Sequence, residues 1–317
     1  EYMLPRLAAP VGDAFPDEAL DSYEPVTVTA ITHDGKRFAV PLASKCVALY
    51  FNTKLLPEPP KTLEALLAKK GSFGAGVYPL AYEAQSVYYH APILHAYGGQ
   101  LFDDKTGFAM IGVPAEESLE KARAIVRSGA IPDEASGDLV KQLFESGHAA
   151  AVMSGPWLAG DLKGSVAYEV VPLPALEGVG PMRPFLTVDG AFMTPEGAKS
   201  KEARAFAREL GSGTSAYDRA EVGKQIVATK GYWDAQLIED AKRSPEAMRD
   251  RRTQLAFHDA AAGAIPMPSA MAVNPVWDPA KEALRKVLRG DASPRDALAE
   301  AKARYDDVMR TPTEASS

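Results

Sequence analysis

Ala48-Leu49-Tyr50-Phe51-Asn52-Thr53-Lys54-Leu55-Leu56-Pro57, continued by Pro59-Pro60-Lys61-Thr62-Leu63, carries three structural signals in a row. With Cys46 and Val47 before it, the run to Phe51 is almost wholly apolar, the pattern of a short strand buried on both faces. Pro57-Glu58-Pro59-Pro60 halts the chain. Thr62 then reads as the N-cap of a helix whose apolar face is Leu63, Leu66 and Leu67. A buried strand, a proline stop and an amphipathic helix form the repeating unit of α/β layers.

Toward the N-terminus, the first residues hold Pro5, Pro10, Pro16 and Pro25 and read as an irregular entry with one short helix near Asp17–Tyr23. Val26–Ile31 alternates and is β-branched, Asp34-Gly35 is a tight-turn dipeptide, and Arg37–Leu42 reads as the return strand of a hairpin. Toward the C-terminus, Gly74–Pro79 reads as a strand, followed by an aromatic-rich segment from Tyr82 to Tyr97 that ends at Gly98-Gly99. Helices are expected over Ala115–Gly129 and Ala135–Gly147, and a buried strand over Ala149–Met153 that Ser154-Gly155-Pro156-Trp157 cuts off. This alternation, which runs to about Phe192, predicts α/β layers with mostly parallel sheets. The C-terminal part is helix-rich, with helices expected over Ser200–Leu210, Ala216–Ala228, Ala235–Lys242, Pro245–Phe257, Ala280–Arg289 and Pro294–Met309, and a disordered tail over Thr313–Ser317.

At 317 residues the chain has room for two domains. A net charge of −7 argues against nucleic acid and anionic membrane surfaces as partners. No run approaches the ~18 apolar residues of a membrane span, and the start at Glu1 shows no signal-peptide pattern. The single cysteine, Cys46, reads as a small buried hydrophobe. His33, His90, His95, His148 and His258 form no metal-binding spacing, so no metal is expected, and no glycine-rich phosphate loop asks for a cofactor. Gly211-Ser212-Gly213 reads as a helix end and a turn. The carboxylates are scattered among Lys and Arg, as on a solvated surface. No motif requires catalysis, and the chain reads as a non-enzyme.

Several segments, in order, resemble the maltose/oligosaccharide-binding family of ABC-importer solute-binding proteins. They are Asp34–Pro41, Ala48–Leu63, Leu94–Gly99, Gly147–Trp157 and Val188–Phe192 leading to Ser200–Ala203. The resemblance implies a two-lobed periplasmic-binding-protein fold of type II. Lobe one is expected over 1–44 plus 188–246, and lobe two over 45–187 plus 247–317, with crossovers near Ser44 and Thr187. It also implies hinge closure on a sugar or oligosaccharide, an extracytoplasmic location and ABC permease subunits as partners. Family members carry a further stretch before the equivalent of Tyr2 that builds the first strands of lobe one. Were that stretch truly absent, lobe one would expose apolar sheet surface and lose half its ligand contacts, and either another polypeptide would complete it or ligand binding would be lost. Against this reading stands a fused or vestigial domain that serves permease assembly or regulation.

A sugar presents apolar C–H faces to aromatic rings and hydroxyls to side chains that both donate and accept. The resemblance implies stacking by Trp157 and Trp277 and aromatic contacts by Tyr88 and Tyr89. Gln85 and Ser86 belong to the same segment. Ser86 and Lys45 stand where maltose binders carry carboxylates, and Lys281 where they carry arginine, which puts maltose itself in doubt and would let Lys45 admit an acidic sugar. Asp189 is a hinge or ligand candidate, and Trp233 a candidate for the cleft rim.

Overall fold

Strand Ala48–Asn52 is buried along its whole length, and both of its edges are paired. It runs antiparallel to Ala149–Ser154 on one side and to Tyr168–Val171 on the other. Tyr78–Ala81 completes this four-stranded sheet by pairing parallel to Ala149–Ser154. The computed structural model describes residues 7–162, 164, 166–233, 245–268 and 271–310. The expected helix Ala235–Lys242, the tail Thr313–Ser317 and the start Glu1–Arg6 lie outside the described residues.

A second four-stranded sheet has the order Ile226–Val227, Ala39–Lys45, Phe185–Phe192, Ile265–Pro266. Ala39–Lys45 leads through Cys46 and Val47 directly into Ala48–Asn52 of the first sheet. Phe185–Phe192 brings the chain back, antiparallel to Ala39–Lys45, with a register shift between Asp189 and Gly190. Leu186 and Phe185 lie at its buried end, while the strand's far end is half-buried to exposed.

Helix Pro245–Ala262 packs against Tyr168–Val171 and Ala48–Asn52 of the first sheet and against Ala39–Lys45 and Ile226–Val227 of the second. Phe257, fully buried on this helix, meets Tyr50 at 5.8 Å between ring centroids. One apolar cluster therefore runs from Tyr50 and Phe144 through Phe257 to Ile226 and Trp233. A second cluster joins helices Val87–Ala96 and Gly112–Arg127 to the C-terminal pair Trp277–Arg289 and Pro294–Arg310.

Local chemistry explains several helix starts. Thr62 caps helix Leu63–Leu67 by accepting from the Ala65 amide at 3.1 Å. Ser136, Ser200 and Ser212 do the same for the helices that follow them. Ser212 thus separates helix Lys201–Leu210 from helix Gly213–Glu221, with Gly211 as the C-cap between them.

Three expectations are corrected. The sheets are mixed rather than mostly parallel: among the described strands, Tyr78–Ala81 with Ala149–Ser154 and Phe185–Phe192 with Ile265–Pro266 are the parallel pairs, and the other pairs are antiparallel. The central strand of the first sheet enters by a direct crossing rather than a helical return, and so runs against its neighbours. Val26–Ile31 is not a strand. Pro25–Ala30 is helical, with Pro25 in the first turn, and the hydroxyls of Thr27 and Thr29 donate back to the carbonyls of Glu24 and Pro25 at 2.7 and 3.1 Å. The Asp34-Gly35 turn does form, with φ of 47° and 70°, but it joins only Thr32–His33 to Lys36–Arg37. The helix expected over Ala216–Ala228 ends at Glu221, because Ile226–Val227 leaves to pair with Ala43 and Ser44.

His90 lies fully buried in helix Val87–Ala96. The Ser118 hydroxyl donates to the Ala115 carbonyl, so it accepts from His90 Nε2 at 3.1 Å. His90 Nδ1 has no hydrogen-bond partner among the described residues. Burial first, and the neighbouring His95 second, pull the imidazole down to about 3. The unfolded chain takes up this proton near pH 6.5, the folded chain only near 3, so the neutral imidazole supports the fold above 6.5 and opposes it increasingly as pH falls. We expect stability to fall by about 1.4 kcal/mol per pH unit for this one group between those limits. Urea titrations of the wild type and of His90→Phe across that range will check this, the variant showing the shallower acid slope.

Candidate ligand-binding site

Trp157 leaves the first sheet at the carboxyl end of strand Ala149–Ser154, where open α/β sheets commonly bind ligands. Gly155-Pro156 turns the chain, and Trp157 opens the short helix Trp157–Asp161 with its ring 48% exposed. The turn is held from beneath. Tyr50, with no exposure at all, donates its buried hydroxyl to the Gly155 carbonyl at 2.8 Å. The Trp157 ring lies directly over Gly155, and a β-carbon there would meet its Cζ3 at 2.0 Å. Glycine at 155 is thus what seats the ring.

A second group gathers around the start of helix Val87–Ala96. Ser86 is its N-cap residue, Gln85 precedes it, and Tyr88 lies in its first turn. Trp277 opens helix Trp277–Arg289, and Lys281 follows four residues later on the same face. Gln85, Ser86, Tyr88, Trp277 and Lys281 all line one cavity of about 430 Å³. Trp277 is fixed by an edge contact with Phe185 at 6.2 Å, and Tyr88 by one with Tyr89 at 5.6 Å.

The same cavity holds Glu83 and Glu134 from loops and Asp278 from the first turn of helix Trp277–Arg289, which the sequence did not single out because isolated carboxylates carry no periodic signal. Glu134 sits at φ 47° and pairs with Arg289 at 2.8 Å. The Arg289 guanidinium and a hydrogen bond from Gln85 hold its carboxyl below the usual range. Burial, and then Asp138, push the Glu83 carboxyl up. This cavity offers two aromatic faces ringed by donors and acceptors, the chemistry of a neutral polyhydroxylated ligand.

The remaining candidates are placed differently. Tyr89 is only 7% exposed and packs into the core beside Tyr88. Trp233 is 6% exposed: its indole N–H donates to the Val227 carbonyl at 3.1 Å, and its ring stacks on His258 at 4.5 Å. Here it is buried in the packing between Val227 and His258. Lys45 and Asp189 face each other across the two crossing strands, with Nζ 2.7 Å from the carboxylate. Lys45 thus already has its counter-charge. A half-exposed pair of this kind contributes about 0.2–1 kcal/mol, little enough to be exchanged during a hinge motion.

Gly155→Ala is expected to drive the Trp157 ring off its seat while leaving the Tyr50 hydrogen bond to the backbone in place. In a fluorotryptophan-labelled sample, one of the three tryptophan resonances will move and the other two will stay. Movement of none of them contradicts the seating.

A family model described as bacterial extracellular solute-binding protein matches residues 3–248. The galactooligosaccharide-binding protein of Bacillus subtilis is 28% identical over 295 residues, covering 88% of this chain and 68% of that protein. The maltotriose-binding protein of Pyrococcus abyssi is 25% identical over 313 residues, covering 96% of this chain and 66% of that protein. The chain therefore spans about two thirds of the length of these relatives. A crystal structure of a cyclo/maltodextrin-binding protein complexed with maltotetraose superposes with a TM-score of 0.83 at 24% identity, covering 97% of this chain and 79% of that one. The two sheets, the double crossing and the helix that straddles them are thus the two-lobed periplasmic-binding fold, and the chain belongs to the bacterial extracellular solute-binding proteins.

Proposed function

We propose that the chain captures an oligosaccharide outside the cytoplasm and delivers it to the membrane subunits of an ABC importer. The observation that carries this reading is the convergence of Tyr88, Trp277, Gln85, Ser86 and Lys281, from distant segments, on one cavity. Tyr88 and Trp277 supply faces for sugar C–H groups, and Gln85, Ser86 and Lys281 supply hydrogen bonds to hydroxyls. The relatives that bind galactooligosaccharide and maltotriose by name support the ligand class.

The lobes in this reading are 1–44 plus 188–246 and 45–187 plus 247–317, hinged at the two crossing strands. Ligand closes them to the extent that it prefers the closed cleft. The Lys45–Asp189 pair joins the two strands at the hinge. The importer would recognise the closed form.

Isothermal titration of maltotriose and of a galactooligosaccharide into the chain tests the proposal. A saturable heat with either sugar is the expected result. Trp277→Ala will weaken it roughly 2- to 12-fold, the equivalent of about 0.5–1.5 kcal/mol for one aromatic face. No heat with any oligosaccharide, from a chain that melts cooperatively, would overturn it.

A further inference from the structure

A separate cavity of about 470 Å³ lies against Trp157. One wall is the turn Pro156-Trp157, the opposite wall is Val222–Lys224, and the floor is helix Pro245–Ala262 with Arg249, Asp250 and Phe257. Trp157 at 48% and Val222 at 82% are large apolar side chains open to solvent, and both line this space. Both present apolar surface to the cavity.

The charges around it do not balance. Asp250 is the one carboxylate lining the cavity, and two cations share it: Lys224 Nζ at 3.9 Å and Arg249 Nη2 at 3.8 Å. Both contacts are long, and neither cation has a closer carboxylate partner among the described residues. The buried Nε–H of Arg249 meets no acceptor among the described residues, and its guanidinium is placed over the Tyr168 ring at 6.0 Å. Lys224 is held in the lining by a backbone at φ 53°, a region that residues with a side chain seldom adopt. Gly223 makes the turn possible, since a β-carbon there would come within 2.8 Å of the Arg219 carbonyl oxygen. The cavity next to Tyr88 and Trp277 has the opposite balance, with Glu83, Glu134 and Asp278 against Lys281.

We propose that the Trp157 cavity is a subsite for a sugar residue bearing a carboxylate, a uronic acid at one end of the bound oligosaccharide. Trp157 and Val222 cover the C–H faces of the ring. The carboxylate accepts from the Arg249 guanidinium, whose planar fork suits two parallel hydrogen bonds, and from the Lys224 ammonium. This assignment rests on the oligosaccharide-binding reading above.

Calorimetric titration of trigalacturonate and maltotriose separates the two claims. Trigalacturonate will bind more tightly than maltotriose, and its advantage will shrink at high salt. Arg249→Gln and Lys224→Gln will each weaken trigalacturonate about ten-fold and change maltotriose by less than two-fold, while Arg249→Lys will keep part of the affinity. Thermal melts of each variant show that the fold is intact. Binding of maltotriose with no preference for trigalacturonate, or a preference that survives Arg249→Gln, overturns the subsite alone. No binding of either overturns the oligosaccharide reading as well.

Discussion

The hydroxyl of Tyr50 has to find an acceptor inside the protein, and much of the architecture follows from where it finds one. Tyr50 is at the centre of a strand with no exposed residue and paired edges, surrounded by Phe144, Tyr168 and Phe257. An unsatisfied hydroxyl there would cost about 1–3 kcal/mol. Its partner is the Gly155 carbonyl, which belongs to the turn that ends the neighbouring strand. A core requirement is thereby converted into the position of a surface ring, because the same glycine carries Trp157. A fully buried side chain of the first sheet and a half-exposed aromatic at the end of its strand are held by one residue.

The two halves are joined by strands that change sheets and by a helix that belongs to both. Ala39–Lys45 and Phe185–Phe192 are hydrogen-bonded to each other, so the crossing is a ribbon rather than two independent linkers. A ribbon bends more readily than it shears, and the register shift at Asp189 and Gly190 marks where its regular ladder is already interrupted. Helix Pro245–Ala262 lies over this region with Phe257 inserted toward Tyr50. Any rotation of one sheet against the other has to carry or release that helix.

The features legible in the sequence were those written in neighbouring residues. The strand around Tyr50 is an uninterrupted apolar run, and Thr62, Ser200 and the helix at Pro294 announce themselves by caps and first-turn residues. Val26–Ile31 misled because β-branching favours strands, whereas Pro25 and two back-bonding threonines favour a helix that tertiary packing then selects. Strand direction was illegible because it depends on which connections cross between sheets, a property of the whole path. In the candidate site, the aromatic and polar residues of the Gln85–Tyr88 and Trp277–Lys281 segments could be named through the family resemblance. Trp233 looked similar in sequence, but a buried indole needs an acceptor and found Val227. Arg249 and Lys224 could not be found at all, since a cation on a helix or a turn is indistinguishable in sequence from ordinary solvated charge.

Cys46 lies at the start of this crossing, between the last residue of one sheet's strand and the first of the other's. It is the chain's sole thiol, it is covered by helix Pro245–Ala262, and its sulfur points at the Phe257 carbonyl at 3.9 Å. Burial pushes the thiol up to about 12, so in the closed-packed state it is both shielded and protonated. An alkylating reagent can therefore reach it only when the packing around the crossing strands opens. The protein carries its own chemical clock: the rate at which that one sulfur is modified counts how often this packing opens.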